Sequence, residues 1–501
     1  MIKKHDRFQF EVKLRYDLGR RQKKDRYKVE TYFFLPSNLD ISESTYTKKQ
    51  FYRDLLLYIR FKTPEFSLQS LTDPGNSESP LNRLSAKIEN FQLDPSKDNL
   101  KSLDYEIRLF GCVLKSSLRD HRGLIKKVFR RLIDSKSDKL LIFEVIKLVN
   151  DFVSETRSIA FRFRSFHKRL NSLINLPKSL YSTYVFTDEY ISLLIEWRSL
   201  QVLKLLESMS EHSQLRPVTN DLVTFIQEEV NYRRAIKYPS VLIENSDNEL
   251  FLFRFSVLKK FVAHVLHLSV RTVEEGKGIE QFALALAAGV AMIFATAVAF
   301  YYQKNYGTLS LSFFTALVIS YMFKDRIKAL FQSYLQKTLS HTMFDKSTNI
   351  YDPNAGSKIG ICRESVQFVK ENRVDPSVLR LRNRDHITEI ENNWQSEKII
   401  YYVREITFFT KKFLKTQSRK NALTDIMRFN IRNFLLKMDE PDTKLLYLKE
   451  GRAKQIIATQ VYHVNMVIKL SSRNNVRYER IRLVLTQNGI KRIEPVAVTD
   501  K

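Results

Sequence analysis

The feature that most constrains this chain is an uncharged apolar run of 21 residues, Phe282–Tyr302 (FALALAAGVAMIFATAVAFYY). As a helix rising 1.5 Å per residue, this run spans about 30 Å, the thickness of the hydrocarbon core of a bilayer. A polar turn, Gln303–Thr308, and a second apolar run at about 307–323 follow it. The pattern predicts a two-helix transmembrane hairpin over 279–323, with spans at about 282–302 and 307–323. The alternative is a helical hairpin buried in a soluble core.

Basic residues flank both ends of the predicted hairpin, whereas its turn carries only Lys304. The flanking cations are Lys259, Lys260, Arg271 and Lys277 before the first span, and Lys324, Arg326 and Lys328 after the second. Because basic flanks stay in the cytoplasm, both termini are predicted to be cytoplasmic. Residues 1–28 are rich in charge and contain no apolar stretch, so no cleavable signal peptide is expected. The predicted localisation is therefore a membrane, crossed twice.

Small side chains recur every fourth residue along both predicted spans. In lipid, this spacing lets helix backbones approach closely, because packing rather than the expulsion of water drives association. The residues predicted to pack in this way are Ala283, Ala287, Ala291, Ala295 and Ala299 in the first span, and Ser312, Ala316 and Ser320 in the second. Packing of the two spans on each other is favoured, and dimerisation through the membrane is the alternative. Neither span contains an ionisable residue, which disfavours ion or proton transport.

The residues before the hairpin show two different patterns. Period-two alternation of apolar residues over 8–16 and again over 27–35 predicts an N-terminal β-hairpin within residues 1–36. Apolar residues spaced three or four apart then predict a mainly α-helical cytoplasmic region over 47–278. An isolated β-hairpin is marginally stable in water, so the N-terminal hairpin is expected to pack on, or pair with, strands near 460–495.

The residues after the hairpin, 324–501, are predicted to form a C-terminal cytoplasmic α+β region. A helix is predicted at Glu391–Lys415, and alternating residues predict antiparallel strands at 462–470 and 478–486. Asn488–Gly489 is a tight-turn signal that leads into a further strand. The predicted fold class is therefore an α+β membrane protein, in which a mainly helical region with an N-terminal β-hairpin precedes the transmembrane hairpin, and the C-terminal region ends in antiparallel strands.

Composition and motifs point away from several classes of enzyme. Glycine occurs only 12 times in 501 residues, and no nucleotide-binding, nucleophile-elbow or zinc-protease motif is found. The two cysteines, Cys112 and Cys362, are too few for a disulfide framework and favour a reducing compartment. His264 and His267 lie three apart, but their apolar neighbours favour packed or interfacial histidines over a metal site. No catalytic residue, metal site or cofactor is predicted, and a non-enzymatic role is favoured.

Two basic helices are the main candidates for function in a chain with 83 Lys and Arg against 55 Asp and Glu. On each helix, cations lie opposite an apolar face, as expected for a surface that meets anionic lipid, nucleic acid or an acidic partner. The alternative is a solvated face with acidic neighbours from the same chain. The candidate residues are Lys115, Arg119, Arg122, Lys126 and Arg130 on the first helix, and Arg157, Arg162, Arg164, Lys168 and Arg169 on the second.

These patterns predict a scaffold or regulatory protein at the inner face of a membrane. Its expected partners are membrane lipids with anionic headgroups; a protein partner or a second copy of the chain are further alternatives. A membrane-tethered nucleic-acid-binding protein is the alternative function, which the net charge of +28 permits but does not favour. A membrane-associated enzyme with an unfamiliar site is the second alternative.

Overall fold

Two structural units make up this protein. In the computed structural model, Met1–Ile59 and Leu268–Lys501 together form the β unit, and Arg60–His267 form the helical unit. The structure describes residues 2–17, 23–135, 138–173, 176–209, 212–275, 277–307, 310–353, 356–382, 397–410, 422–473 and 475–496.

Capping side chains and apolar spacing define the helices of the helical unit. The carboxylate of Asp138 accepts a hydrogen bond from the backbone N–H of Leu140 at the start of one long helix, and Pro177 precedes another. Phe110 and Phe163 stack across the unit's core with their ring centroids 4.9 Å apart. The helices are α2 (Leu68–Thr72), α3 (Pro80–Leu93), α4 (Lys97–Asp134), α5 (Lys139–Asn171), α6 (Lys178–Glu207), α7 (Arg216–Ala235) and α8 (Glu249–Ala263).

The β unit contains the remaining helices and most of the strands. Its helices are α1 (Lys48–Asp54), α9 (Lys277–Tyr306), α10 (Leu311–Thr342), α11 (Pro376–Arg382) and α12 (Arg432–Leu435). The strands are β1 (Ile2–Lys4), β2 (Gln9–Asp17), β3 (Asp25–Leu35), β4 (Leu55–Phe61), β5 (Ser269–Glu274), β6 (Lys346–Tyr351), β7 (Lys358–Val369), β8 (Lys398–Phe408), β9 (Ala422–Asn430), β10 (Asp442–Lys449), β11 (Arg452–Thr459), β12 (Tyr462–Ser472), β13 (Asn475–Thr486) and β14 (Gly489–Val496).

Within the described residues, these strands form two larger sheets and a two-stranded ribbon. The four-stranded sheet has the order β1-β2-β9-β4, the eight-stranded sheet has the order β14-β13-β12-β3-β8-β7-β6-β5, and β10 pairs only with β11. Aromatic side chains fill the space between the two sheets: the Phe33 ring on β3 lies 5.3 Å from that of Phe429 on β9. The apolar core of the unit therefore lies between the sheets.

The predicted N-terminal β-hairpin at residues 1–36 is wrong. Both strands form, but β2 pairs with β1 and β9, whereas β3 pairs with β8 and β12 in the other sheet. Alternation along the sequence identifies a strand and its buried face but does not identify a partner hundreds of residues away. The expected contact with the C-terminal strands is confirmed for β3, since Met466 of β12 lies opposite Phe33.

The C-terminal predictions are partly confirmed. Strands β12, β13 and β14 pair in sequence order, with Thr486 opposite Gly489 across the turn. The helix predicted at Glu391–Lys415 is wrong over Lys398–Phe408, which forms β8 between β3 and β7. The rest of that predicted helix lies largely outside the described residues. Burial of both faces of β8 removed the alternation that would have indicated a strand.

The predicted two-span membrane fold is also wrong. The chain has a mixed α/β fold in which, among the described residues, one helical segment is long and apolar enough to cross a membrane, Gln281–Asn305. The predicted second span lies in α10, where Lys324, Asp325, Arg326 and Lys328 follow the apolar run within the same helix. An 18-residue stretch starting at Leu311 already contains these four charges, so a transmembrane hairpin over 279–323 is not supported.

The division into units also differs from the predicted regions. The predicted helical region, 47–278, includes α1, β4 and β5, whereas the helical unit covers Arg60–His267. The N-terminal residues and those after His267 belong to one unit, because β3 lies between β8 and β12 in the eight-stranded sheet.

Replacing Gly489 by alanine should destabilise the β unit. Gly489 has a φ of +124°, and a Cβ there would collide with the backbone carbonyl oxygen of Arg7. An alanine at this positive φ strains the backbone, and its Cβ also collides with Arg7. Because both effects destabilise the folded state, we expect the free energy of unfolding to fall by at least about 2 kcal/mol in denaturant titrations. The matched control is Gly123→Ala on α4, where a Cβ meets nothing within 4 Å. This substitution should stabilise the protein by about 0.5–1 kcal/mol, and equal effects of the two variants would contradict the prediction.

Candidate functional site

The basic face predicted on α5 is largely engaged inside the helical unit. Arg164 donates two hydrogen bonds to the Glu229 carboxylate, at 2.8 and 3.0 Å, and lies 3.4 Å from Asp188. Its guanidinium also stacks over the ring of Tyr232, 3.5 Å from the centroid. Burial opposes the charge on Arg164, but the bonds to Glu229 and the charge of Asp188 raise its pKa above the usual value. Arg164 therefore stabilises the contact of α5 with α6 and α7.

The other arginines of this face also have partners within the helical unit. Arg157 donates to Glu228 at 3.2 Å, and Arg162 donates to Asn82. Arg169 donates to Ser85 at 2.8 Å and to Glu89 at 3.0 Å. Of the five cations predicted on α5, Lys168 remains exposed, and the structure gives it no ion pair with another described residue.

The cations predicted on α4 fall into two groups. Arg119 pairs with Asp120 at 2.8 Å, and Arg122 donates to Gln201 on α6 at 2.7 Å. Lys115 is partly buried, and burial together with the nearby charge of Lys259 lowers its pKa to about 8. Further along α4, Lys126 is half-buried and Arg130 is exposed.

The end of α4 and the start of α5 form a surface that we call the tip patch. Its basic members have no ion pairs within the described residues. Large apolar side chains among them are exposed, with Leu140 79% and Phe143 69% accessible. The tip patch consists of Leu124, Lys126, Lys127, Arg130, Arg131, Ile133, Lys139, Leu140 and Phe143. The spacing of cations along the helices predicted Lys126 and Arg130. It missed Lys127, Arg131 and Phe143, because the exposure of these three side chains depends on how α4 and α5 pack.

The small residues predicted to pack in the membrane lie along α9 and α10, which contact each other. Ala283, Ala287 and Ala291 are buried, and Ala295 and Ala299 are partly buried. On α10, Ser320 is buried, Ala316 is partly buried and Ser312 is exposed. The side of α9 that carries alanines is therefore the side that the protein covers.

The rest of α9 leaves large apolar side chains uncovered. Only 17% of its most apolar stretch is buried within the structure. Ile293 is 70% accessible, Phe300 66% and Leu286 48%. Apolar surface this extensive is atypical of a helix in water and marks a site that contacts a membrane or another protein.

A buried ion network lies between the two sheets of the β unit. Arg404 on β8 donates to Asp425 on β9 at 2.5 Å and to Glu364 on β7 at 3.1 Å. The hydroxyl of Tyr16 donates to Asp425 at 2.8 Å, and that of Tyr402 donates to Glu364 at 2.9 Å. Burial raises the pKa of both tyrosines, and the adjacent carboxylates raise it further, so both remain neutral donors. Apart from Asp425 Oδ1, which has no hydrogen-bond partner among the described residues, the polar atoms named here bond to one another, as in a structural network.

A cavity of about 150 Å³ lies beside this network. Leu55, Leu57 and Val270 supply apolar lining, while Lys346 and Arg404 supply charge. Cys362 also lines the cavity, but burial raises the pKa of its thiol to about 12, with a further increase from Glu364. A thiol that stays protonated at neutral pH is a poor nucleophile. The cavity therefore does not hold an activated cysteine.

The predicted histidine pair is not arranged as a metal centre. His267 contacts the backbone carbonyl of Ala263 through Nδ1 at 2.9 Å, and burial lowers its pKa. His264 is exposed. Among the described residues, no group of three or more His, Cys, Asp or Glu side chains is arranged to hold a metal ion.

Comparisons with known proteins give no relative: no family model, no curated protein and no solved structure matches this chain.

Replacing Arg404 by leucine should strongly destabilise the β unit. Loss of the guanidinium leaves Glu364 and Asp425 buried without their cation, so we expect a loss of about 3–5 kcal/mol in the free energy of unfolding at pH 7. Arg363→Leu, which removes an exposed cation one position before Glu364, is the control and should cost less than about 1 kcal/mol. Equal losses would contradict a structural role for the network.

The stability of the helical unit should rise with pH because of Lys115. The pKa of Lys115 is lowered from 10.5 to about 8 in the folded protein, so the unfolded chain binds more protons between these values. The free energy of unfolding should therefore increase from pH 8 to pH 10, by about 2–3 kcal/mol at most. Lys115→Met should remove this increase, whereas Lys126→Met should retain it. If the free energy of unfolding of Lys115→Met still increased from pH 8 to pH 10, the increase would come from other groups and the prediction would be wrong.

Proposed function

We propose that this protein is a non-enzymatic scaffold or regulatory protein that α9 holds at a membrane and whose tip patch contacts anionic lipid headgroups. The observation that carries the proposal is the apolar surface of α9, of which the rest of the protein covers little. A core helix of a soluble protein with the same composition would be mostly buried. Exposing the apolar side chains of Ile293 and Phe300 to water is unfavourable, whereas exposing them to lipid carries no such cost in free energy.

The tip patch supports the second part of the proposal. It combines five cations with exposed Leu140 and Phe143, a combination that suits the boundary between headgroups and acyl chains. Each cation near an anionic bilayer contributes about 1 kcal/mol, and less when salt screens it. For a protein already held at the membrane, this attraction need only orient the helical unit.

Contacts on α5 make nucleic acid the less favoured partner. Arg157, Arg162, Arg164 and Arg169 hold side chains of the same unit, so they offer fewer donors to a phosphate backbone. The buried groups around Arg404 are likewise engaged with one another, which supports a non-enzymatic role.

Charges placed on the exposed face of α9 should release the protein from membranes. The variant Leu286→Lys/Ile293→Lys/Phe300→Lys changes three exposed positions seven residues apart. A charge at the centre of the segment, as at Ile293, costs about 2.5–3.5 kcal/mol. We expect the wild-type chain to remain with carbonate-washed membranes and the variant to leave them. Circular dichroism should show unchanged helix content, because these side chains do not support the core.

The matched control, Leu93→Lys/Ile236→Lys/Leu436→Lys, changes three exposed apolar residues outside α9 and should stay with the membranes.

Reversal of Lys127, Arg130 and Arg131 to Glu should leave membrane retention intact. It should, however, abolish the extra protection of the tip patch from proteolysis that anionic vesicles give over neutral ones. A wild-type chain that is soluble without detergent would contradict the role of α9. Protection of the tip patch by nucleic acid but not by anionic vesicles would favour the alternative function.

A further inference from the structure

In the ribbon formed by β10 and β11, each strand pairs with the other and with no further strand within the described residues. Its base is fixed: the Tyr462 hydroxyl donates to Asp439 at 2.7 Å, and the backbone N–H of Gln460 donates to the carbonyl of Pro441 at 2.7 Å. Its tip turns at Glu450 and Gly451, both with positive φ, as a tight hairpin turn requires. The ribbon is therefore a defined element with an ordered base and turn.

Large apolar side chains lie exposed along the whole ribbon. On one face, Leu445 is 48% accessible, Tyr447 43% and Ile456 52%. On the other face, Leu446 is 76% accessible, Leu448 77% and Ile457 63%. Every residue of β10 is exposed. A two-stranded ribbon alone is marginally stable in water, and exposed apolar surface of this kind marks a contact site. The ribbon is therefore a candidate contact site.

The register shows that one face of the ribbon is both basic and apolar. Lys449 lies opposite Arg452, Tyr447 opposite Lys454 and Leu445 opposite Ile456, and paired residues share a face. We call these six residues the basic face. Every residue of the ribbon is described, and none on the basic face is acidic. The three cations lie toward the tip, and the aliphatic residues lie toward the base.

We propose that the basic face of the ribbon docks on an anionic lipid bilayer, as a third membrane contact beside α9 and the tip patch; this inference rests on the proposed function. The cations complement anionic headgroups, and Leu445, Tyr447 and Ile456 can enter the boundary of the acyl chains, where an aromatic ring with a polar end is favoured. The basic face thereby gains a covering surface that matches its cations and its own apolar residues, whereas Leu446, Leu448 and Ile457 lie on the opposite face and are not covered by this contact.

Two other partners fit the basic face less well. A second copy of the chain, packed through the same face, would bring Lys449, Arg452 and Lys454 against identical cations. A nucleic acid would match the cations but would leave exposed Leu445 and Ile456 beside phosphates, which cannot remove them from water.

The test places a reporter on the basic face of the full-length chain. Tyr447→Cys carries an environment-sensitive dye, and the native Cys112 and Cys362 are buried. The labelled protein is incorporated into neutral phosphatidylcholine vesicles or into vesicles that also contain phosphatidylserine. We expect a blue shift and a rise in emission in the anionic vesicles only, and both changes should diminish as salt is raised.

Charge reversal provides the matched pair of variants. Lys449→Glu/Arg452→Glu/Lys454→Glu should abolish the shift, because each cation contributes about fivefold to the partition of the ribbon onto an anionic bilayer. Lys97→Glu/Lys101→Glu/Lys178→Glu makes the same change of net charge at exposed positions of the helical unit and should retain the shift.

The outcomes separate this inference from the proposed function. Recovery of the chain with vesicles but no shift in anionic lipid would overturn the ribbon proposal and leave the role of α9 intact. Failure of the chain to stay with vesicles, together with a shift when anionic vesicles are added, would overturn the role of α9 alone. A shift caused by nucleic acid only, or by raising the protein concentration without lipid, would overturn the ribbon proposal in favour of those partners.

Discussion

The bond between Arg404 and Asp425 joins the two sheets of the β unit through its interior. Arg404 lies on β8 of the eight-stranded sheet and Asp425 on β9 of the four-stranded sheet, and both are almost fully buried. A shift of either strand by one residue would turn its charged side chain to the opposite face and leave the other charge without a partner. Because an unpaired buried charge costs several kcal/mol, the network selects one register and one spacing of the sheets. The arrangement of the aromatic residues between the sheets follows from that spacing.

Long-range pairing explains how the ends of the chain come together. Strand β3, near the N-terminus, lies between β8 and β12, so the eight-stranded sheet forms only after distant parts of the chain meet. The sequence between β4 and β5 forms a separate unit with its own aromatic core around Phe110 and Phe163. The apolar and basic surfaces proposed to contact lipid lie outside both cores, on α9, the tip patch and the ribbon.

The sequence predicted those features that depend on neighbouring residues. The strands at 462–470 and 478–486 and the turn at Asn488–Gly489 were evident from alternation and turn chemistry. Strand partners were not, because β2 and β3 resemble a hairpin locally but pair with residues several hundred positions away. The helix predicted over β8 failed for a related reason, since a strand buried on both faces loses its alternation.

The candidate site was predictable only in part. The basic stripes on α4 and α5 follow from spacing, but a cation such as Arg164 has the same spacing whether it faces water or Glu229. The prediction of a second span at about 307–323 was wrong because the apolar run is short and the charges at 324–328, interpreted as a cytoplasmic flank, belong to the same helix. The ribbon could have been noticed from its pattern, since Leu445–Leu448 carries apolar residues on both faces of a strand beside a Glu450–Gly451 turn.

The short bridge between Arg60 and His267 has a consequence for the order of folding. These residues are the first and last of the helical unit, and they pair where the chain leaves and re-enters the β unit. For the β unit, the helical unit is one long loop between β4 and β5, and closing an unfolded loop of that length carries a large entropic cost. If the helical unit folds first, its paired ends bring β4 and β5 together and shorten the effective loop to a single turn. Early folding of the insertion thereby lowers the effective contact order for forming the sheets of the β unit.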